Sequence, residues 1–210
     1  MRRLLLTVLY ALVAASAGAQ DLERPGGWSV RFDQPGASEE DLRMFVAMPP
    51  GWHVTSGPAA IYWGPNMSAS GDFRLEMEVF LFDPEGRREA FGLFFGGRGL
   101  EGAEQSYTYF LIRDGRQFII KRRSGSRAPT IRGWTGHEAI SGYADRGAEE
   151  VSVRNVLAVE ATSDVVRFFV NGVEVDDLPR SELGVEGTFG FRVNHGLNLH
   201  VSRLEASPLG

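Results

Sequence analysis

From Phe73 to Phe82 the apolar side chains Phe73, Leu75, Met77, Val79 and Leu81 fall on one parity, and Arg74, Glu76 and Glu78 fall on the other. In an extended chain successive side chains point to opposite faces, so the stretch predicts a strand with one buried and one wetted side. Period-two runs of this kind recur through the chain, broken by glycine, proline and Asx-Gly pairs, and no stretch has a convincing helical spacing. Phe91 to Phe95 is apolar almost throughout with Gly92 in its interior, as expected of a strand covered on both faces or closely crossed by a neighbour.

Two hairpins follow from turn chemistry. Tyr107–Arg113 and Gln117–Arg123 flank Asp114-Gly115-Arg116, and Val165–Val170 joins Val173–Val175 through Asn171-Gly172, a pair that readily takes the positive φ angles of a type I′ turn. Asn155–Ala161 precedes the second hairpin, and Thr188–Val193 and Leu197–Leu204 make a closing pair around Asn194-His195-Gly196. Trp28–Phe32, Arg43–Ala47 and Ala59–Tyr62 are further strand candidates. About eight regularly spaced short strands before those three are counted predict an all-β fold, a two-sheet antiparallel β-sandwich of the jelly-roll kind. The longest loops are expected at 34–41, 96–106 and 124–150, the last interrupted by Ile131–Trp134.

The N-terminus alters the picture of where this sandwich works. Arg2 and Arg3 precede an apolar run from Leu4 to Ala15 that closes on Ala17-Gly18-Ala19. This is the pattern of a secretory signal peptide, too short for a membrane anchor. The expected organisation is a signal peptide over 1–19, an N-terminal segment over 20–50 that joins the sandwich, and the sandwich domain over 51–210. The expected destination is the periplasm or the outside of the cell, with no transmembrane anchor after cleavage. The formal net charge is −5, and loss of Arg2 and Arg3 makes it more negative, which argues against nucleic acid as a partner. The chain has no cysteine, which excludes disulfides, thiolate metal sites and a cysteine nucleophile. No cofactor is evident from motifs; calcium is left open.

Strand parity sends Phe110, Ile112, Leu157, Val159, Phe189 and Phe191 to the core with the apolar side of Phe73–Phe82. Their neighbours Glu76, Glu78, Tyr107, Tyr109, Arg113, Glu160, Arg192, Asn194 and His200 are expected to share one exposed sheet face. Such a mixture of carboxylates, guanidinium groups and aromatic rings suits a sugar, whose hydroxyls take planar polar partners and whose C–H faces pack on rings. Trp63 and Trp134 sit at strand–loop edges, where an indole could stack on a sugar. Tyr107, Tyr109, Arg113, Trp134, Arg192, Asn194 and His200 are therefore the candidate ligand-binding residues, with carbohydrate as the expected partner. Glu76 and Glu78, two apart on one strand, lie about 7 Å apart by strand rise, a separation compatible with paired-carboxylate glycoside chemistry. The same glutamates and arginines read equally well as cross-strand ion pairs on a wetted sheet. The four histidines show no metal-binding spacing.

The succession Val156-Leu157-Ala158-Val159-Glu160, then Val166-Arg167-Phe168-Phe169-Val170-Asn171-Gly172, then Gly187-Thr188-Phe189-Gly190-Phe191 resembles the closing half of concanavalin A-like lectin/glucanase sandwiches. Within that superfamily, Trp52, Gly71-Asp72-Phe73-Arg74-Leu75 and Gly190-Phe191-Arg192-Val193-Asn194-His195-Gly196 are most similar to the 3-keto-disaccharide hydrolase domain family, over roughly 51–206. The resemblance departs at Phe91-Gly92-Leu93, where that family usually carries Asn-Ser-Gly, and at Tyr107–Arg113, where it usually carries a Glu-containing strand. What it implies is a concanavalin A-like fold and, as an alternative to a carbohydrate-binding module, a glycoside hydrolase or lyase in which Glu76, Glu78 and His195 are the catalytic candidates. A third alternative, a structural domain that binds a protein partner, would be favoured by an apolar patch of Phe80, Phe82 and Phe94.

Overall fold

The computed structural model describes residues 23–210; the signal-peptide assignment lies outside the described residues. Among the described residues fifteen strands form two sheets, and every pairing is antiparallel. Sheet 1 runs in the order β1 (Ser29–Phe32), β4 (Ala60–Trp63), β14 (Gly187–Val193), β7 (Ala90–Arg98), β8 (Ser106–Arg113), β9 (Gln117–Ser124) and β10 (Thr130–Gly136), with β5 (Ser68–Ala69) also paired to β14. Sheet 2 runs β13 (Val173–Pro179), β12 (Val165–Val170), β11 (Ser152–Ala161), β6 (Phe73–Phe82), β15 (Asn198–Pro208), β3 (Trp52–Thr55) and β2 (Met44–Ala47).

Local chemistry accounts for the best-defined elements. Strand β6 alternates buried and partly exposed residues along its whole length, as its period-two pattern demands. Asn171 and Gly172 have φ values of 50° and 81°, both positive as a type I′ turn requires, and this fixes the register of β12 on β13. Gly115 and Arg116 play the same part between β8 and β9, at φ values of 90° and 57°. The segment 20–50 supplies a strand to each sheet: β1 lies at one edge of sheet 1 and β2 at one edge of sheet 2.

The core fills the space between the sheets. Phe95 and Phe110 of sheet 1 meet Phe168 of sheet 2, with the Phe110 and Phe168 ring centroids 5.2 Å apart, and Phe118 packs on Phe110. At the other end Tyr62 stacks on Phe191 at 4.8 Å, and Trp28 packs against Trp52 and Phe45. Trp28 and Trp52 are thus packing residues. The outer face of sheet 1 carries a second, smaller apolar cluster of Ile61, Phe94, Leu100, Tyr107, Tyr109, Leu111 and Ile119. An outer face is usually wetted, so burial of two tyrosines there marks this face as recessed. Gly190 of β14 permits the arrangement: a Cβ there would stand 2.1 Å from the Tyr62 carbonyl and 2.5 Å from the Phe94 ring.

The patch of Phe80, Phe82 and Phe94 that would have favoured a protein partner does not form. Phe94 is fully buried on the outer side of sheet 1, whereas Phe80 and Phe82 lie on sheet 2.

Candidate functional site

Parity separates the core-facing residues from the others, but the others do not share one face, and Tyr107, Tyr109 and Arg192, expected to be exposed, are buried in or beside the outer cluster of sheet 1. Glu76, Glu78, Glu160 and His200 are on the outer side of sheet 2, and Tyr107, Tyr109, Arg113, Arg192 and Asn194 are on or beside the outer side of sheet 1. Parity distinguishes core from exterior; which exterior a residue reaches depends on the sheet its strand joins, and β6 joins β11 and β15 whereas β8 joins β7 and β9.

On sheet 2 the carboxylates are held by arginines. Glu76 accepts from Arg74 and from Arg203, and Glu78 accepts from Arg154 and from the Ser202 hydroxyl at 2.7 Å. The Ser202 hydrogen bond, assisted by Arg154, holds the Glu78 carboxyl below the usual carboxylate range against the effect of burial. His200 Nε2 lies 2.9 Å from the Pro50 carbonyl, and its ring is 6.1 Å from that of His53. Burial pushes the His53 imidazole below its ordinary value, and the neighbouring His200 works in the same direction.

On sheet 1 a recess of about 280 Å³ opens beside Trp134, close to the lower end of the roughly 300–1,000 Å³ of ligand pockets and suited to one sugar ring. Its apolar lining comes from Tyr109, Leu111 and Ile119, with Trp134 of β10 as a wall that is 38% exposed. The Arg113 guanidinium lies 3.8 Å from the Trp134 ring and is tied to Gln117 Oε1 at 2.6 Å. Arg113 therefore positions the indole from outside the lining. Burial, and secondarily Arg88, lowers the Arg113 pKa.

The polar lining comprises Arg192 and Asn194 together with three residues that strand patterning did not single out: Asp33, Lys121 and Arg123. Arg192 grips Asp33 with two nitrogens, Nη1 to Oδ1 at 3.1 Å and Nη2 to Oδ2, and Arg123 approaches the same carboxylate at 2.8 Å. Arg192 Nη1 also donates to the Tyr107 hydroxyl at 3.4 Å, so Tyr107 lies behind the recess as a support. Burial alone would raise the Asp33 pKa, but the hydrogen bonds and charges of Arg192 and Arg123 outweigh it and hold the carboxyl below its ordinary range. Burial raises the Tyr109 hydroxyl, against the charge of Arg192.

Three polar atoms of this lining, Arg123 Nε, Arg192 Nε and Asn194 Oδ1, are buried without a protein hydrogen-bond partner. All three are enclosed by protein atoms, so the polar groups that the recess presents are the outer ends of these side chains and of Lys121. His195 follows Asn194 in the turn, is 63% exposed, and lies 3.6 Å from Glu89. Among the described residues no group of three or more His, Asp or Glu side chains is placed to hold a metal ion.

No protein-family model matches the chain, and no curated protein matches it. Solved structures do. The carbohydrate-binding module CBM66 from Bacillus subtilis superposes with a TM-score of 0.61 at 15% identity, over 86% of this chain and 95% of that one. A Bacteroides ovatus mixed-linkage glucan GH16 in complex with a G4G4G3G product gives 0.60 at 8% identity, over 89% and 97%. The Bacillus licheniformis beta-glucanase gives 0.55 at 8%, over 89% and 95%. At these identities the likeness establishes the fold alone: the chain is a two-sheet jelly-roll β-sandwich.

Proposed function

We propose that the protein is an exported carbohydrate-binding module and that its sugar occupies the recess on the outer face of sheet 1. The observation that carries this reading is the meeting, in one recess, of an exposed indole, a tyrosine and the polar side chains of Lys121, Arg123, Arg192 and Asn194. The indole offers a platform for the C–H face of a sugar ring, and the polar side chains are of the donor and acceptor types that hydroxyls take. The sandwich neighbours that bind or cleave glycans support it.

Binding without cleavage is favoured over paired-carboxylate hydrolysis. Such hydrolysis uses two carboxyl groups across the scissile bond. Asp33 is the single carboxylate of the lining, and its two oxygens are engaged by Arg192 and Arg123. Glu76 and Glu78 stand on the other sheet. A second reading, in which the protein acts on a keto-sugar like the 3-keto-disaccharide hydrolases it resembles, draws on the imidazole–carboxylate pair of His195 and Glu89 in the turn beside Asn194.

Saturation-transfer NMR of the chain from Gln20 onward, with a panel of plain and 3-keto oligosaccharides, separates the two. Transfer without new anomeric signals, lost in Trp134→Ala and kept in Glu76→Gln, is the expected result. New anomeric signals would establish the enzymatic reading, and silence across the panel would overturn both.

A further inference from the structure

We infer that the sugar held in the sheet 1 recess carries a negative charge, as a uronate carboxylate or a sulfate ester; this rests on the carbohydrate-binding reading above. The lining brings together Lys121, Arg123 and Arg192 against the single carboxylate of Asp33. The chain as a whole is net acidic, at −5, so a cationic surplus in one recess is a local concentration and not a general property of the surface. Lys121, the only lysine of the chain, is the register partner of Tyr109 on the neighbouring strand, which sets an ammonium group beside the ring.

Arg192 is the built part of the site. Its side chain is 6% exposed, it is fixed by Asp33 and Tyr107 through Nη1 and Nη2, and its buried Nε has no partner. Arg123, 12% exposed, likewise keeps a buried Nε unpaired. A neutral sugar would meet this lining with hydroxyl oxygens alone. An anionic oxygen makes stronger, charge-assisted hydrogen bonds to such cations and also neutralises the charge that Asp33 leaves over. Arg122, between Lys121 and Arg123 on β9, points to the opposite side of the sheet, so the cationic surplus belongs to the recess itself and suits one charged sugar ring.

Isothermal titration against matched probes tests this: oligogalacturonate and oligomannuronate, each beside its carboxyl-reduced neutral counterpart, and a sulfated galactan oligosaccharide beside its desulfated form. The expected result is an affinity at least about tenfold higher for one charged member than for its neutral twin, falling as NaCl is raised from about 50 to 500 mM. The uronate and sulfate arms identify which anion is read. Lys121→Met is expected to remove most of the preference for the charged member over its neutral twin, and Lys121→Arg to restore it. Equal or tighter binding of the neutral twins would overturn the inference and leave the carbohydrate-binding reading standing. Absence of binding to every probe, charged and neutral, together with silence in the saturation-transfer panel, would overturn both.

Discussion

Removal of the Asp33 carboxylate tests the electrostatics of the recess. Asp33 lies just beyond β1 and is the counter-ion of Arg192, whose side chain is 6% exposed, and of Arg123, whose side chain is 12% exposed. Asp33→Asn keeps the shape but withdraws the charge, leaving two arginines close together with little water around either. Breaking a buried pair in this way costs about 3–5 kcal/mol, because the remaining charge stays buried and uncompensated. The Asp33 side chain is itself 30% exposed, so water relieves part of that penalty and an estimate of about 2–4 kcal/mol follows. For a domain of this size about 3 kcal/mol corresponds to a fall in Tm of roughly 6–12 °C. Urea unfolding followed by tryptophan fluorescence measures it, with Glu174→Gln as the control. Glu174 pairs with Arg167 at 3.8 Å in the open, and its loss is expected to cost at most about 0.5 kcal/mol. The double variant Asp33→Leu/Arg192→Met, which removes both charges of the main pair, should recover much of the lost stability. A loss for Asp33→Asn no larger than that of the control would refute the reasoning.

Three further outcomes follow from the same geometry. Gly190→Ala forces a Cβ against the Tyr62 carbonyl and the Phe94 ring and should cost at least about 1–3 kcal/mol in denaturant unfolding, whereas Gly172→Ala, with open space around its Cβ, is limited to the strain of its positive φ. Because burial depresses the His53 pKa, the folded state binds this proton less readily than the unfolded chain. Its contribution to stability is full above about pH 6.5 and is lost as the pH falls through the lower folded value; His53→Gln should flatten the stability profile on the acid side of about pH 6.5. Glu76→Gln and Glu78→Gln, on sheet 2, should leave glycan affinity unchanged by titration while altering the ion pairs with Arg203 and Arg154.

Much of the fold is legible because it is written locally. Phe73–Phe82 and Val165–Val170 have the same bounds in the pattern and in the structure, since strict alternation and an Asn-Gly turn leave no second solution. Trp52–Thr55 and Ser68–Ala69 are strands that patterning passes over, being too short to show a period. Ile131–Trp134, read only as an interruption in a loop, belongs to Thr130–Gly136, a strand whose two register shifts blur its alternation.

The site is less legible, and for two separate reasons. Lys121 and Arg123 were within reach: the turn at Asp114-Gly115-Arg116 fixes the register of the hairpin and sets Tyr109 opposite Lys121 and Tyr107 opposite Arg123. Asp33 was not, because it meets Arg192 across 159 positions of sequence through the pairing of β1 with β4 and of β4 with β14. The same non-local pairing separates Glu76, Glu78 and His200 from Tyr109 and Arg192, although all of them face outward. His195 is in the turn that follows Asn194, and its partner Glu89 comes from the segment before β7.

The most direct test of the central claim, that a sugar is bound on the outer face of sheet 1, is a crystal structure of the protein soaked with the tightest-binding oligosaccharide of the panels above. The account predicts a sugar ring against Trp134 with an oxygen within hydrogen-bond distance of the Lys121 or Asn194 side chain. A sugar seated instead on sheet 2, among Arg74, Glu76, Arg154 and Arg203, would contradict it.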